Sequence, residues 1–101
     1  MTQVAEFVTF TLAEGTTTEE FLKLSQATEA FVRAAPGFVH RNLSMGDDGG
    51  WTDCVVWQNM NAAQDAAAKF PQQDFAPALM AAIKPGSEKM RHENVLWNMT
   101  V

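Results

Sequence analysis

The chain has 101 residues, 47% of them hydrophobic and 19% charged, which are ordinary values for one globular domain over residues 1–101. Its formal net charge of -5, with Lys+Arg 7 against Asp+Glu 12, argues against a nucleic-acid-binding surface. No stretch approaches the roughly 20 apolar residues of a membrane helix, and the start MTQVAEFVTF lacks the features of a signal peptide. Together with a single cysteine, Cys54, this predicts a cytoplasmic protein whose partners are small molecules or other protein chains.

The first third of the chain predicts a strand followed by a helix. Residues 4–12, VAEFVTFTL, are rich in β-branched and aromatic residues and favour a strand. Thr17 and Glu20 have the spacing of a capping box at a helix start. We expect this helix to continue until Pro36 and Gly37 end it.

The rest of the chain predicts a hairpin, an interrupted helix and a last strand. The glycine-rich turn GDDGG separates two strand-like runs, and Asn59 or Asn61 is placed to cap the following helix. Pro71 interrupts that helix. The predicted elements are the strands FVHRNLSM, WTDCVVW and EKMRHENVLWNM and the helical segments AAQDAAAKF and DFAPALMAAI.

The order βαββαβ predicts an α+β, ferredoxin-like fold with an antiparallel sheet. Its helices cover one face of that sheet. However, both faces carry large apolar side chains, since Phe7 is followed by Val8 and Val55 by Val56. The second face is most simply buried against the sheet of another copy, so we predict a homodimer.

The pattern TFTLAEG…EEFL…APGF…VVW…DFAPAL resembles the antibiotic biosynthesis monooxygenase type within the dimeric α+β barrel superfamily. The resemblance implies a homodimer in which two sheets form a barrel and each protomer holds a cavity between sheet and helices. It also implies a cofactor-independent monooxygenase that binds a small aromatic or quinol-type substrate. A different hypothesis is a non-catalytic, dimeric small-molecule-binding protein.

The resemblance transfers to particular residues only in part. In polyketide-oxidising members an asparagine stands four residues before the tryptophan of the third strand, and Asp53 and Trp57 have that spacing here. Those enzymes also use a tyrosine in the next helix, but this chain has no tyrosine and carries Ala63 at about that position. In the haem-degrading branch the functional positions correspond approximately to Val8, Ala66 and Leu79, so no axial ligand for haem is expected. We predict no cofactor, and the histidine spacing predicts no metal site.

Three residues are candidates for catalysis: Asp53, His40 and His92. A histidine close to Asp53 would act as a general base near neutral pH. Alternatively, the histidines lie at strand edges with local hydrogen bonds, and Asp53 forms an ion pair with Arg41 or Arg91. Glu6 is a further acid within a strand, with the same two arginines as candidate partners.

Six residues are candidates for substrate binding: Trp57, Trp51, Trp97, Asn42, Arg41 and Arg91. The tryptophans are large enough to line an aromatic pocket, but packing in the core or at a dimer interface is the alternative. An isomerase or lyase acting on a small acid is a third hypothesis, and it requires an arginine that points inward. Period-2 alternation places Trp51, Asp53 and Trp57 on one face and Cys54 on the other.

Overall fold

The computed structural model describes residues 2–101, which form a four-stranded antiparallel sheet with helices packed on one face. The sheet order is β2-β3-β1-β4, as in the predicted ferredoxin-like α+β fold, so that prediction is confirmed. The elements are β1 (Val4–Phe10), α1 (Thr18–Gln26), α2 (Glu29–Ala34), β2 (Phe38–Met45), β3 (Trp51–Trp57), α3 (Met60–Lys69), α4 (Ala76–Ala81) and β4 (Lys89–Asn94). No helix within residues 2–101 has the length and apolar character needed to cross a membrane.

Side-chain caps start the two longer helices. The Thr17 hydroxyl accepts a hydrogen bond from the Glu20 backbone N–H at 3.1 Å, which confirms the predicted start of α1. The Asn59 side chain accepts one from the Ala62 N–H at 2.9 Å, so Asn59 rather than Asn61 caps α3. Each cap satisfies one of the backbone donors that a helix start leaves unpaired.

The predicted helix between Thr17 and Pro36 is wrong in one respect, because it is two helices. α1 ends at Gln26 and α2 begins at Glu29. At the break the Thr28 hydroxyl donates to the Ser25 carbonyl oxygen at 2.6 Å, and Thr28 is fully buried. A threonine that bonds back to a carbonyl of the preceding turn competes with the regular helical ladder.

The last strand is shorter than predicted. β4 ends at Asn94, which lies opposite Val4, the first residue of β1. β4 is an edge strand with β1 as its neighbour, so the ladder stops where β1 begins. The predicted continuation through Leu96 and Trp97 is therefore wrong, and these two side chains are 92% and 78% exposed.

The helix-covered face of the sheet holds two apolar clusters. Phe10, Phe21 and Trp51 pack together in one of them, with the Phe21 and Trp51 ring centres 5.1 Å apart. Trp57 belongs to the other, together with the fully buried Ala63 of α3. Their buried members are Phe10, Phe21, Trp51, Leu79, Ala82 and Ile83, and Val32, Val55, Trp57, Ala63 and Ala66.

The opposite face has no helix packed on it. Phe7 lies opposite Cys54 on β3 and opposite Arg91 on β4, so these three side chains share this face. The Arg91 guanidinium lies 4.2 Å from the centre of the Phe7 ring, a cation–π contact at the surface of a single chain. We call this surface the open face.

Gly37→Ala is expected to destabilise the fold more than Gly15→Ala. Both glycines have positive φ, +85° and +86°, so each substitution incurs the left-handed penalty of about 1–2 kcal/mol. At Gly37 the added Cβ would also lie 2.6 Å from the Ala62 Cβ, whereas at Gly15 no atom lies within 4 Å. Overpacking should add about 1–3 kcal/mol for Gly37→Ala. Urea unfolding at one protein concentration measures both, and equal losses would contradict the role of the close approach.

Candidate functional site

A cavity of about 280 Å³ lies between the sheet and the helices, near the lower end of the volumes usual for small-molecule sites. Its walls are mainly apolar. The sheet contributes three polar groups, Glu6 from β1, Arg41 from β2 and Asp53 from β3. Apolar lining side chains include Val8, Phe31, Val55, Trp57, Phe70 and Leu79.

Arg41 is the inward-facing arginine and connects three elements. Its Nε donates to Asp53 Oδ1 at 3.0 Å and its Nη2 to Asp53 Oδ2 at 2.7 Å. Its Nη1 donates to the Thr28 hydroxyl at 2.7 Å. The two side chains of the ion pair are only 18% and 19% exposed, so this is a mostly buried, bidentate pair.

The ion pair limits what Asp53 can do. Both of its carboxylate oxygens accept from a guanidinium that stays protonated in proteins. Taking up a proton at Asp53 would break that pair in a mostly buried setting. Of the two partners predicted for Asp53, Arg41 is correct and Arg91 is wrong, because Arg91 pairs with Glu93 at 2.9 Å.

A second pair lies next to the cavity, between Glu6 and His92. The two residues are directly opposite each other on β1 and β4, and His92 Nε2 lies 2.9 Å from Glu6 Oε2. Glu6 is 8% exposed, while the His92 side chain is 25% exposed. The partners predicted for Glu6, Arg41 and Arg91, are wrong.

The two histidines do not share a site. His40 lies opposite Val56, on the open face, and its Nε2 is 3.4 Å from the Asn42 amide nitrogen. His92 contacts Glu6 instead, so neither histidine partners Asp53, and the predicted Asp–His pairing is wrong. Asn42 lies opposite Cys54 and therefore also on the open face.

The three tryptophans lie in three different environments. Trp57 lines the cavity and is 3% exposed. Among the described residues it has the one buried side-chain nitrogen or oxygen without a hydrogen-bond partner, its Nε1. Trp51 packs in the core against Phe10 and is absent from the cavity wall, and Trp97 lies outside the cavity beyond the end of β4.

Cys54 follows Asp53 on β3, so its side chain lies on the other side of the sheet, on the open face. Burial raises the pKa of its thiol, and the Asp53 carboxylate adds to the effect. A thiol with a raised pKa carries little thiolate at neutral pH and is a poor nucleophile. Within residues 2–101 no three His, Cys, Asp or Glu side chains are grouped so as to hold a metal ion.

Comparison with solved structures identifies the fold. SnoaB of Streptomyces nogalater, described as a cofactor-independent oxygenase, aligns over 100% of this chain and 98% of its own, with TM-score 0.72 and 24% identity. A protein from Bordetella bronchiseptica with a provisional assignment as an antibiotic biosynthesis monooxygenase aligns over 96% and 100%, with TM-score 0.81 and 13% identity. The chain has the antibiotic biosynthesis monooxygenase-like fold. The resemblance predicted from the sequence is thus confirmed at the level of the fold.

A third structure with this fold contains a ligand. This is the monooxygenase ActVA-Orf6 of Streptomyces coelicolor in complex with nanaomycin D. The alignment covers 99% of this chain and 93% of ActVA-Orf6, with TM-score 0.76 and 17% identity. No family model matches the chain, and no curated protein matches it in sequence. At these identities the likeness establishes the architecture, and the chemistry has to be argued from the side chains of this cavity.

Two residues of the site, Thr28 and Glu6, were not among the predicted catalytic or substrate-binding residues. Thr28 gave a weak signal, a polar residue on the apolar stripe of the predicted helix. Glu6 gave a stronger one, an acid within the apolar run VAEFVTF of β1. In both cases the sequence marks an unusual position but not the partner, which comes from another element.

Asp53→Ala is expected to lower the free energy of unfolding by about 3 kcal/mol, because it leaves the mostly buried Arg41 guanidinium without its counter-charge. Asp53→Asn should cost less, since the amide oxygen still accepts one hydrogen bond. Asp47→Ala in the exposed hairpin turn is the matched control and should change stability by less than about 0.5 kcal/mol. Urea unfolding measures all three, and equal stability of Asp53→Ala and Asp47→Ala would contradict the importance of the pair.

Proposed function

We propose that the protein is a cofactor-independent monooxygenase that acts on a small aromatic or quinol-type substrate in the cavity between sheet and helices. The observation that carries this proposal is the mainly apolar cavity, whose wall includes the 3% exposed Trp57. The indole Nε1 of this residue has no hydrogen-bond partner among the described residues. Unpaired buried donors are rare in native proteins, since each costs about 1–3 kcal/mol. A ligand oxygen would satisfy this donor once the side chains that cover Nε1 shift, because the atom is closed to water in this structure.

The chemistry of such a reaction requires little from the protein. In an anthrone-type substrate, a CH₂ group between aromatic rings becomes a carbonyl. One atom of O₂ enters the product, and the other leaves as water with the two hydrogens of the CH₂ group. The electrons come from the substrate once it has lost a proton, so the protein has to bind it, remove that proton and exclude water. A hydrogen bond from Trp57 to the substrate oxygen would stabilise the negative charge that develops there.

Structures with the same fold support this choice of reaction class. SnoaB is described as a cofactor-independent oxygenase, and ActVA-Orf6 as a monooxygenase in complex with nanaomycin D. The mainly apolar cavity of this chain, with Val8, Phe31, Val55 and Phe70 in its wall, is suited to a flat aromatic ligand.

A second candidate function is non-catalytic binding of a small molecule. It is favoured by two observations on the cavity. The chain has no tyrosine, and the fully buried Ala63 stands near the place where the resemblance implies one. In addition, the carboxylate of Asp53 is occupied by Arg41. Binding without turnover is the outcome expected from this candidate.

Wild-type protein incubated with dithranol (1,8-dihydroxyanthrone) in air is expected to consume oxygen above the buffer rate and to form the anthraquinone. Trp57→Phe keeps the aromatic ring but removes the N–H donor, so it should weaken binding of the anthraquinone product about tenfold. It also removes an unpaired buried donor, so it should lower the stability less than Trp51→Phe, which loses the same side-chain volume. An oxygen electrode and titration calorimetry provide the two measurements.

Trp51→Phe is the matched control for this variant. Trp51 is buried in the core but lies outside the cavity wall, so its substitution should lower the melting temperature and leave the affinity unchanged. Tight binding without oxygen uptake would favour the non-catalytic candidate. Unchanged affinity in Trp57→Phe would contradict the assignment of its N–H to the ligand.

We also propose that two copies associate through the open face to form a dimeric barrel. The support is the apolar character of this face in a single chain, where Phe7, Val56 and Cys54 are only partly covered. On β2 the Val39 side chain is 42% exposed. Burying such a face against its symmetric copy is the usual solution for an antiparallel sheet with helices on one side.

Light scattering should give about twice the chain mass of 11.1 kDa. Phe7→Asp is expected to shift the protein towards monomer, because it places a charge in the middle of the proposed apolar contact. Leu22→Asp is the control, a similar change at a 41% exposed leucine on helix α1, and should leave the mass unchanged. A wild-type monomer at micromolar concentration would contradict the dimer.

A further inference from the structure

We propose that Glu6 is the proton acceptor of the cavity and that His92 holds its carboxylate in place. This inference rests on the proposed function, because it assigns the group that starts the same reaction. It differs from the prediction made from the sequence, in which Asp53 was paired with a histidine. The contacts of the cavity acids decide between the two.

Three acids line the cavity, and one of them, Glu88 just before β4, is exposed to solvent. The other two project from the central strands, and their hydrogen bonds differ. Asp53 accepts with both oxygens from Arg41. Glu6 uses one oxygen, Oε2, in its contact with His92, and the described residues provide no partner for the other. Glu6 Oε1 is therefore the carboxylate oxygen that can accept a proton while Oε2 keeps its hydrogen bond from His92.

The position of Glu6 also suits a base. Glu6 lies on β1, which pairs with β3 on one side and β4 on the other. The backbone that carries its side chain is therefore held from both sides. Val8 lies on the same face two residues further along β1 and also lines the cavity. A carboxylate on a side chain that is only 11% exposed, in a mainly apolar wall, meets little competing water, which increases its effect on a bound substrate.

His92 is a positioning residue in this arrangement. Its side chain is absent from the cavity wall, and it lies beside Glu6, directly across from it on the edge strand β4. A proton on His92 Nε2 donates to Glu6 Oε2, which fixes the carboxylate plane and directs Oε1 towards the cavity. The ring retains this role in its neutral form, since one N–H is sufficient for the contact.

The proposed step breaks one C–H bond of the substrate CH₂ group and forms one O–H bond at Glu6 Oε1. The electron pair of the C–H bond stays on the substrate and spreads to its carbonyl oxygen as an enolate. The enolate then reduces O₂, which is the co-reactant of the proposed function. This forms a C–O bond and leaves a peroxide on the former CH₂ carbon, and Glu6 returns its proton to the outer peroxide oxygen, so the carboxylate is regenerated. The second C–H bond then breaks, its electron pair forms the carbonyl while the O–O bond breaks, and the outer oxygen leaves with both hydrogens as water.

The first test isolates proton transfer from oxygen chemistry. Dithranol is incubated with protein in D₂O without oxygen, and loss of its CH₂ signal is followed by proton NMR. The wild type should accelerate exchange over buffer, and Glu6→Gln should lower the accelerated rate about 100-fold or more, the usual size of a general-base contribution. Glu14→Gln is the same change at an exposed turn, and dithranol should exchange in its presence at the wild-type rate.

The second test separates the positioning role of His92 from a merely structural one. His92→Gln retains an N–H donor towards Glu6 and should keep the exchange rate within about tenfold of the wild type. His92→Phe has a ring but no donor, and should lose most of the acceleration while its circular dichroism spectrum stays native. Equal exchange rates in the two variants would overturn the positioning role.

The outcomes distinguish this inference from the proposed function. Exchange at the wild-type rate in folded Glu6→Gln would overturn the inference, even if the protein still consumes oxygen. Absence of any acceleration by the wild type would overturn it as well. Accelerated exchange that depends on Glu6, without oxygen uptake in air, would support Glu6 as the proton acceptor and contradict the monooxygenase.

Discussion

The mostly buried guanidinium of Arg41 is the constraint around which the cavity is organised. A guanidinium cannot become neutral in a protein, so a buried one has to be surrounded by acceptors. Asp53 from β3 and Thr28 from the helical layer supply them. The contact with Thr28 lies at the point where the helix divides into α1 and α2. One charged side chain therefore connects the sheet to the helical layer at the position of the helix break.

The same constraint separates the roles of the two acids that the sheet contributes to the cavity wall. Asp53 and Glu6 lie on adjacent strands with their side chains on the same face of the sheet. Because Arg41 binds both oxygens of Asp53, that carboxylate serves as a fixed counter-charge. Glu6 has one side-chain hydrogen bond among the described residues, with His92 at Oε2, so its other oxygen has no such partner. Two chemically similar groups thus acquire different functions from the number of donors that surround each of them.

The sequence is informative where a short pattern determines the structure. The caps at Thr17 and Asn59, the hairpin and the order of elements follow from local chemistry, and so does the placement of Asp53 and Trp57 on one face. The pairing of charges does not, because strand register and helix packing decide which groups meet. Hence Arg41 rather than Arg91 points inward, and Glu6 rather than Asp53 meets a histidine. The end of β4 could not be predicted from the sequence either, since it depends on where the neighbouring strand β1 begins.

The proposed dimer and the proposed base are connected through strand β4. Alternate residues of this edge strand face opposite sides, so that His92 supports Glu6 while Arg91 lies over Phe7 on the open face. In a single chain β4 has only β1 as its neighbour, and an edge strand held on one side is more easily displaced. Association through the open face would cover Arg91 and restrain the strand. The hydrogen bond that orients Glu6 would then be more rigid in the dimer, because the same six residues of β4 carry both contacts.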